Sequence, residues 1–336
     1  DATGAVKGLL IEEARTNLLT YSQDFSYTTA NGSTRYYNVA TAPDGTQTAD
    51  QMVEDTTTSS NHRLYFSGSV VSAATYTFSV FVKSSNRNLT LLAGSGFGED
   101  GASFDLSNGV VLGSALGGEG VIQDVGNGWY RCSLVATNAA SNTNVSWQMI
   151  MLDGNQRNYT GDGSSSISLW GAQAEAGSFP TSYIPTSGST ATRAADVATI
   201  PTANFGYNSD AGSVVAEVLH FTTESGAASA GFAFDDGSTN NRMYYYQNKG
   251  QWIGSVSGST TFNIDTTDPS ENTDTKVGAV YKKDNVSLVI DSSIIGNDTS
   301  TDIPSVNTFY FGNTSAGTYL NGHIKSIKYY PRRLSN

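Results

Sequence analysis

Hydrophobic and polar residues alternate with a period of two along most of the chain. The run ATYTFSVFVKSS (74–85) places Tyr76, Phe78, Val80 and Val82 on one face and Thr75, Thr77, Ser79 and Phe81 on the other. Successive side chains of a strand point to opposite faces, so this pattern predicts a strand. HRLYFSGSV (62–70), NLTLLAGSG (88–96), GASFDLSNGVVLG (101–113), GVIQDVGNGWYRCSLVAT (120–137), NVSWQMIMLDG (144–154) and SSISLWGAQAE (165–175) continue the series. Pro43-Asp44-Gly45, Asn108-Gly109 and Asn127-Gly128 mark turns, because Pro fixes φ and Gly accepts positive φ. LLIEEARTNLL (9–19) has some helical spacing, but Gly8 and the flanking β-formers favour a strand or edge segment followed by a loop.

A second set opens with GSVVAEVLHFTT (212–223) and runs through GFAFDDG, NRMYYYQNKG, QWIGSVSG, STTFNIDT, TKVGAVYKKDN, VSLVIDSS, NTFYFGN and GHIKSIKYYPRRLS. Residues 186–212, rich in Ser and Thr, bridge the two sets. ADVATI (195–200) is expected as a short strand on the first domain, with the hinge at about 201–212. GSFPTSYIPT (177–186) is too apolar for a free tether and is expected to lie across the first domain's surface. Short strands at regular spacing with Gly, Asn and Asp turns predict an all-β chain of two β-sandwich, jelly-roll-like domains in tandem. The two sets share a rhythm but no aligned repeat.

Composition agrees with that pattern and narrows the partners. The 336 residues suit two domains. Only 14% are charged, while Gly (35), Tyr (18) and Phe (14) are plentiful. A net charge of −12 without Lys or Arg clusters argues against nucleic acid and against an anionic membrane. No apolar run reaches the roughly 18–20 residues of a membrane span, so no membrane insertion is expected. Cys132 stands alone, which rules out an intrachain disulfide and a thiolate zinc site. It reads as a small buried apolar residue.

Three pieces of the first half, GLLIEEARTNLLTYSQDFS (8–26), DVGNGWYRC (124–132) and YTGDGSSSISLWGAQAEAGSFPTSYIPTSGSTATRAADV (159–197), together resemble a module of bacteriophage and prophage tail-fibre and virion-surface proteins. That module is related in fold to carbohydrate-binding jelly rolls. The ending YLNGHIKSIKYYPRRLSN (319–336) resembles the last strand of concanavalin A-like or laminin G-like domains. The resemblance implies a carbohydrate-binding-module-like jelly roll over 1–205 and a concanavalin A-like/laminin G-like sandwich over 206–336. It also implies a tail fibre, spike or related adhesin on the virion surface, in the extracellular phase of a phage. Its expected partners are a host surface glycan or receptor and other virion proteins, within a homo-oligomer for which a trimer is favoured. A structural decoration or connector protein of the virion stays open as an alternative, as does a polysaccharide depolymerase or its accessory module.

Candidate chemistry is sparse, and no enzyme is expected. Glycoside hydrolysis uses two carboxyl groups that face each other across the bond. The acidic pairs Glu12-Glu13, Glu99-Asp100 and Asp235-Asp236 are sequence neighbours, which a strand sends to opposite faces. His62, His220 and His323 lack zinc spacing. No cofactor is certain. Asp235 and Asp236 in FDDGSTNN (234–241) offer hard oxygens in a Gly-containing loop, as Ca²⁺ prefers, although the loop lacks the spaced D-x-D-x-D-G pattern and a plain β-turn between strands is the favoured reading. Aromatic rings are the natural readers of a sugar, whose C–H face stacks on them while its hydroxyls bond to amides. NRMYYYQNKGQW (241–252) supplies Tyr244, Tyr246 and Trp252 beside Arg242 and Asn248. One side of that hairpin could instead be core and the other a support for a neighbouring strand or subunit. TRYYNV (34–39) forms a weaker patch of the same kind. Trp129, Trp147 and Trp170 read as core anchors.

Overall fold

A computed structural model describes residues 7–94, 97–113, 118–139, 143–221, 228–266, 269 and 272–335. Strands hold 57% of the chain and helix 3%, so the fold is all-β. Among the described residues the helices are three-residue 3₁₀ turns at Phe25–Tyr27, Thr202–Asn204 and Gln247–Lys249, and no helix is long and apolar enough to cross a membrane. The described residues form two compact units, one within 15–193 and one of residues 7–14 with 194–335.

The first unit is a sandwich of two six-stranded antiparallel sheets. One sheet has the order Val110–Gly113, Asp100–Asp105, Asn88–Gly94, Asn144–Leu152, Arg63–Ser69, Thr29–Asn31. The other runs Glu119–Gly126, Trp129–Thr137, Thr75–Ser84, Ser166–Ala176, Ala49–Glu54, Ser33–Ala40. Tyr76, Phe78, Val80 and Val82 point into the core between the sheets, as their alternation predicts, against Leu89, Leu91, Trp147 and Met149. Phe78 stacks on Trp147 at 5.5 Å. Each such side chain removed from water contributes about 1.5–3 kcal/mol. Cys132 lies in the same core, where burial pushes its thiol well above its ordinary pKa. Asn127 and Gly128 both take positive φ, 55° and 76°, in the hairpin turn that their sequence predicts.

The strand Ser166–Ala176 contains a bulge. Ile167 and Leu169 face the core, yet so do Ala172 and Ala174, so the alternation slips by one residue between them. Gly171, at φ +60°, absorbs that slip. Ser168, Trp170, Gln173 and Glu175 are left on the outer face. All are buried, and residues 177–188 cross over Trp170, Gln173 and Glu175.

The second unit also pairs two six-stranded antiparallel sheets. One runs Leu9–Ile11, Gly322–Tyr330, Ala211–His220, Asp274–Lys282, Val286–Ile290, Ser293–Asp298. The other runs Thr199–Pro201, Thr308–Phe311, Ala230–Asp235, Arg242–Tyr246, Gln251–Val256, Ser259–Ile264. Val214, Ala216, Val218, Phe232, Phe234, Tyr245, Trp252 and Phe309 fill the core. Two segments therefore depart from the expected division at residue 205. Leu9–Ile11 bonds to the strand Gly322–Tyr330, with Leu9 opposite Ile324. Thr199–Pro201, expected on the first domain, bonds instead to Thr308–Phe311.

Candidate functional site

Arg242, Tyr244 and Tyr246 share one face of their strand, as a period of two requires. The Arg242 guanidinium lies 4.4 Å over the Tyr244 ring, and the Tyr244 and Tyr246 rings are 4.7 Å apart. Tyr244 is buried within this stack. Trp252 does not join them. It pairs across the sheet with Tyr245, directly opposed residues share a face, and Tyr245 faces the core. Trp252 is accordingly 0% exposed and packs on Phe232 and Phe262, each at 5.8 Å, so it is core and not a ligand-facing ring. Asn248 sits in the 3₁₀ turn, where its Oδ1 accepts the Ser229 N–H at 2.8 Å.

Asp235 and Asp236 close their own loop. Buried Asp235 accepts N–H bonds from Gly237 at 2.9 Å and Ser315 at 3.3 Å. Asp236 accepts from the Ser238 hydroxyl at 2.6 Å, the Ser238 N–H at 3.0 Å and the Asn241 amide at 2.9 Å. The Ser238 hydroxyl, followed by the Asn241 amide, holds its pKa below the ordinary carboxylate value. Among the described residues no group of three or more His, Cys, Asp and Glu gathers as a metal-ligand set.

The three pieces that carry the sequence resemblance converge on the outer face of the bulged strand. Asn17 donates through Nδ2 to the carbonyls of Ile184 (2.9 Å) and Ala172 (3.2 Å), and its Oδ1 accepts from the N–H groups of Leu19 and Ala174. Arg131 donates to the Thr181 carbonyl at 2.7 Å and to Ser79 Oγ at 2.9 Å. Glu175 accepts the Thr181 N–H at 2.9 Å and its hydroxyl at 2.7 Å, while Gln173 accepts the Ile184 N–H at 2.7 Å. Trp170 packs between Phe81 (5.3 Å) and Tyr183 (4.7 Å). Trp129 and Trp170 are thus anchors of this outer layer, whereas Trp147 lies in the inter-sheet core. These residues fix residues 177–188 in place and leave little free to meet a ligand.

Beside that layer the first unit opens a cleft of about 440 Å³, lined by Tyr21, Gln23, Asp24, Ser26, Tyr37, Asn38, Thr48, Asp50, Thr186 and Ser187. Asn38, at φ +53°, lies where the register of the edge strand Ser33–Ala40 shifts, between Tyr36 and Ala40. The left-handed residue turns its N–H onto Asp50 Oδ1 at 2.8 Å. The neighbouring Tyr37 is 45% exposed. Asp50 Oδ2 accepts the Phe25 N–H at 3.0 Å, so one carboxylate that is 3% exposed holds two walls of the cleft. Burial raises the Asp50 pKa, against the lowering effect of those two N–H bonds. Tyr21 stacks on Tyr27 with ring centroids 3.5 Å apart, and Tyr27 is 57% exposed. Thr186 is 9% exposed, and its buried Oγ1 has no hydrogen-bond partner.

The concavity thus brings aromatic rings together with amides, hydroxyls and carboxylates; rings suit apolar C–H faces, and the polar groups suit hydroxyls and amines. The patch TRYYNV marks one wall in the sequence. The other walls come from residues 21–26, 48–50 and 186–187, whose proximity only the fold reveals.

No family model matches the chain, and no curated protein sequence matches it. Among solved structures, sheep galectin-11 in complex with glycerol is similar over 40% of this chain and 98% of its own, at 8% identity and a TM-score of 0.29. Domains LG4-5 of the mouse laminin α1 chain cover 99% of this chain and 94% of their own, at 9% identity and a TM-score of 0.28. The tandem CBM22 domains of Paenibacillus barcinonensis Xyn10C cover 96% and 99%, at 10% identity and a TM-score of 0.30.

Proposed function

We propose that the chain is a non-enzymatic glycan-binding protein of a virion surface, a bacteriophage tail fibre or spike, and that the first-unit cleft is its recognition site. The cleft carries the glycan reading, because Tyr37 and the Tyr21–Tyr27 stack stand beside Asn38, Gln23 and Ser26. The virion setting rests on the resemblance of residues 8–26, 124–132 and 159–197. A binding role fits the carboxylates better than catalysis does, since each Asp50 oxygen is already committed to a backbone N–H. An open site of this size binds weakly, and several copies on one particle raise avidity through effective concentration. The test is a glycan array and a host-cell binding assay with the full chain and its Tyr37→Ala variant. A stacked ring is worth about 0.5–1.5 kcal/mol, so the variant should bind roughly three- to tenfold more weakly at unchanged Tm. A blank array, or a variant that binds as well as the parent, sinks the proposal.

A further inference from the structure

Resting on the glycan reading of the cleft, we infer that it sorts sugars by charge: it takes residues bearing a free amine ahead of neutral ones and turns away uronates, sialates and sulfated or phosphorylated sugars. Its ten lining residues include two carboxylates, Asp24 and Asp50, and no Lys, Arg or His. Asp24 is exposed, with Oδ1 taking the Ser26 N–H at 2.9 Å. Asp50 accepts two N–H bonds, which orient its carboxylate but supply no countercharge. Arg35, on the same edge strand as Tyr37, turns its Nη1 onto the carbonyls of Phe25 (3.2 Å), Ser26 (3.4 Å) and Thr28 and onto the Thr28 hydroxyl (3.0 Å). Arg35 keeps its charge but does not line the cleft, since the backbone of the loop that carries Asp24 holds its guanidinium. The net charge of −12 adds a field of the same sign.

Asp24 is the exposed acceptor of the two, while Asp50, 3% exposed, acts through its charge. An ammonium offers three N–H donors and no acceptor, which matches the Asp24 carboxylate, whereas an acetamide brings no charge to pair with it. A ligand carboxylate or sulfate meets two like charges in a partly desolvated cleft, and such juxtaposition selects against it.

The experiment is calorimetric titration of the full chain, at low salt and at a pH where the amine is protonated, with three oligomers of equal length: glucosamine, N-acetylglucosamine and galacturonate. Affinity should fall in that order. Asp24→Asn should cut the preference for the amine over its acetylated form by about fivefold, the value of one exposed charge pair near 1 kcal/mol. Added salt should compress the same preference. If galacturonate binds as tightly as the acetylated sugar while Tyr37→Ala weakens both, charge sorting is overturned and the glycan reading stands. An amine preference that survives Asp24→Asn and salt also overturns it. If none of the three oligomers binds, the inference falls, and a blank array takes the glycan reading with it.

Discussion

Arg87 grips Glu54 with two parallel bonds of 2.8 Å, Nε to Oε2 and Nη2 to Oε1. The Glu54 side chain has no exposed surface. Its Oε2 also accepts the Tyr159 hydroxyl and its Oε1 the Asp162 N–H, each at 2.7 Å. The guanidinium lies 5.3 Å from the Tyr159 ring centre and 3.4 Å from Asp153. A buried pair of this kind contributes little net stability as a pair, but breaking one side leaves an uncompensated buried charge. Arg87→Met should therefore cost about 3–5 kcal/mol in urea denaturation, and adding Glu54→Leu to it should restore part of the loss. A single variant within about 1 kcal/mol of the parent would refute the role of the pair.

The same carboxylate gives the first unit an acid limb. Burial opposes the ionisation of Glu54, but the bonds from Arg87, Asp162 and Tyr159 outweigh it and hold its pKa below the ordinary 4.5. A lowered pKa means that the unfolded chain binds the proton more readily. The stabilisation is thus complete above about pH 4.5 and is lost as pH falls through the folded value. Asp50, raised mainly by burial, has the opposite sign: its share is present below its ordinary 3.8 and fades as pH rises through its folded value. The urea midpoint of the parent should fall as pH drops below 4.5, and Glu54→Gln should flatten that fall. Parallel profiles for the two proteins would contradict the assignment.

Gly171 makes the bulge possible, and its replacement should be costly for two separable reasons. Its φ of +60° charges any L side chain about 1–2 kcal/mol. An added Cβ would also come within 3.0 Å of Phe81 Cδ2 and 3.3 Å of Tyr183 Cε2, rings that pack on Trp170. Gly45, at φ +85°, has nothing within 4 Å of such a Cβ. Gly171→Ala should destabilise more than Gly45→Ala, and the difference measures the crowding. Equal losses by thermal melting would assign the whole cost to the backbone.

Local signals in the sequence carry the strands, and pairing carries what they miss. The alternation of Tyr76, Phe78, Val80 and Val82 reads directly as a core face, because burial follows the period of two. The apolar residues Phe179 and Ile184 likewise disclose that their segment is packed, and both are buried. Trp252 is different. Its own strand, QWIGSV, does not say which face is inner until it is registered against Tyr245. Leu9–Ile11 and Thr199–Pro201 are too short to announce their sheet, which is set by partners far along the chain, Gly322–Tyr330 and Thr308–Phe311. The cleft is less legible still. Tyr37 is visible as part of an aromatic patch, but Asp50 and Thr186 reach the cleft only through sheet pairing and the crossing of residues 177–188.

Trp252 offers a clean test of core against ligand surface. It has no exposed area, packs on Phe232 and Phe262, and its buried indole Nε1 has no hydrogen-bond partner. Trp252→Ala removes the ring and leaves a cavity, at about 3–5 kcal/mol. Trp252→Phe keeps most of the apolar contact and deletes the unsatisfied N–H, whose burial works against the fold by about 1–3 kcal/mol. The phenylalanine variant should therefore lose far less stability than the alanine variant. It should also bind glycans as the parent does, since a ring sealed in the second unit's core meets no ligand. The check pairs urea denaturation with the glycan array. Equal destabilisation by both variants would mean that the indole makes a bond of its own, and lost binding in a folded Trp252→Phe protein would return this ring to the recognition surface.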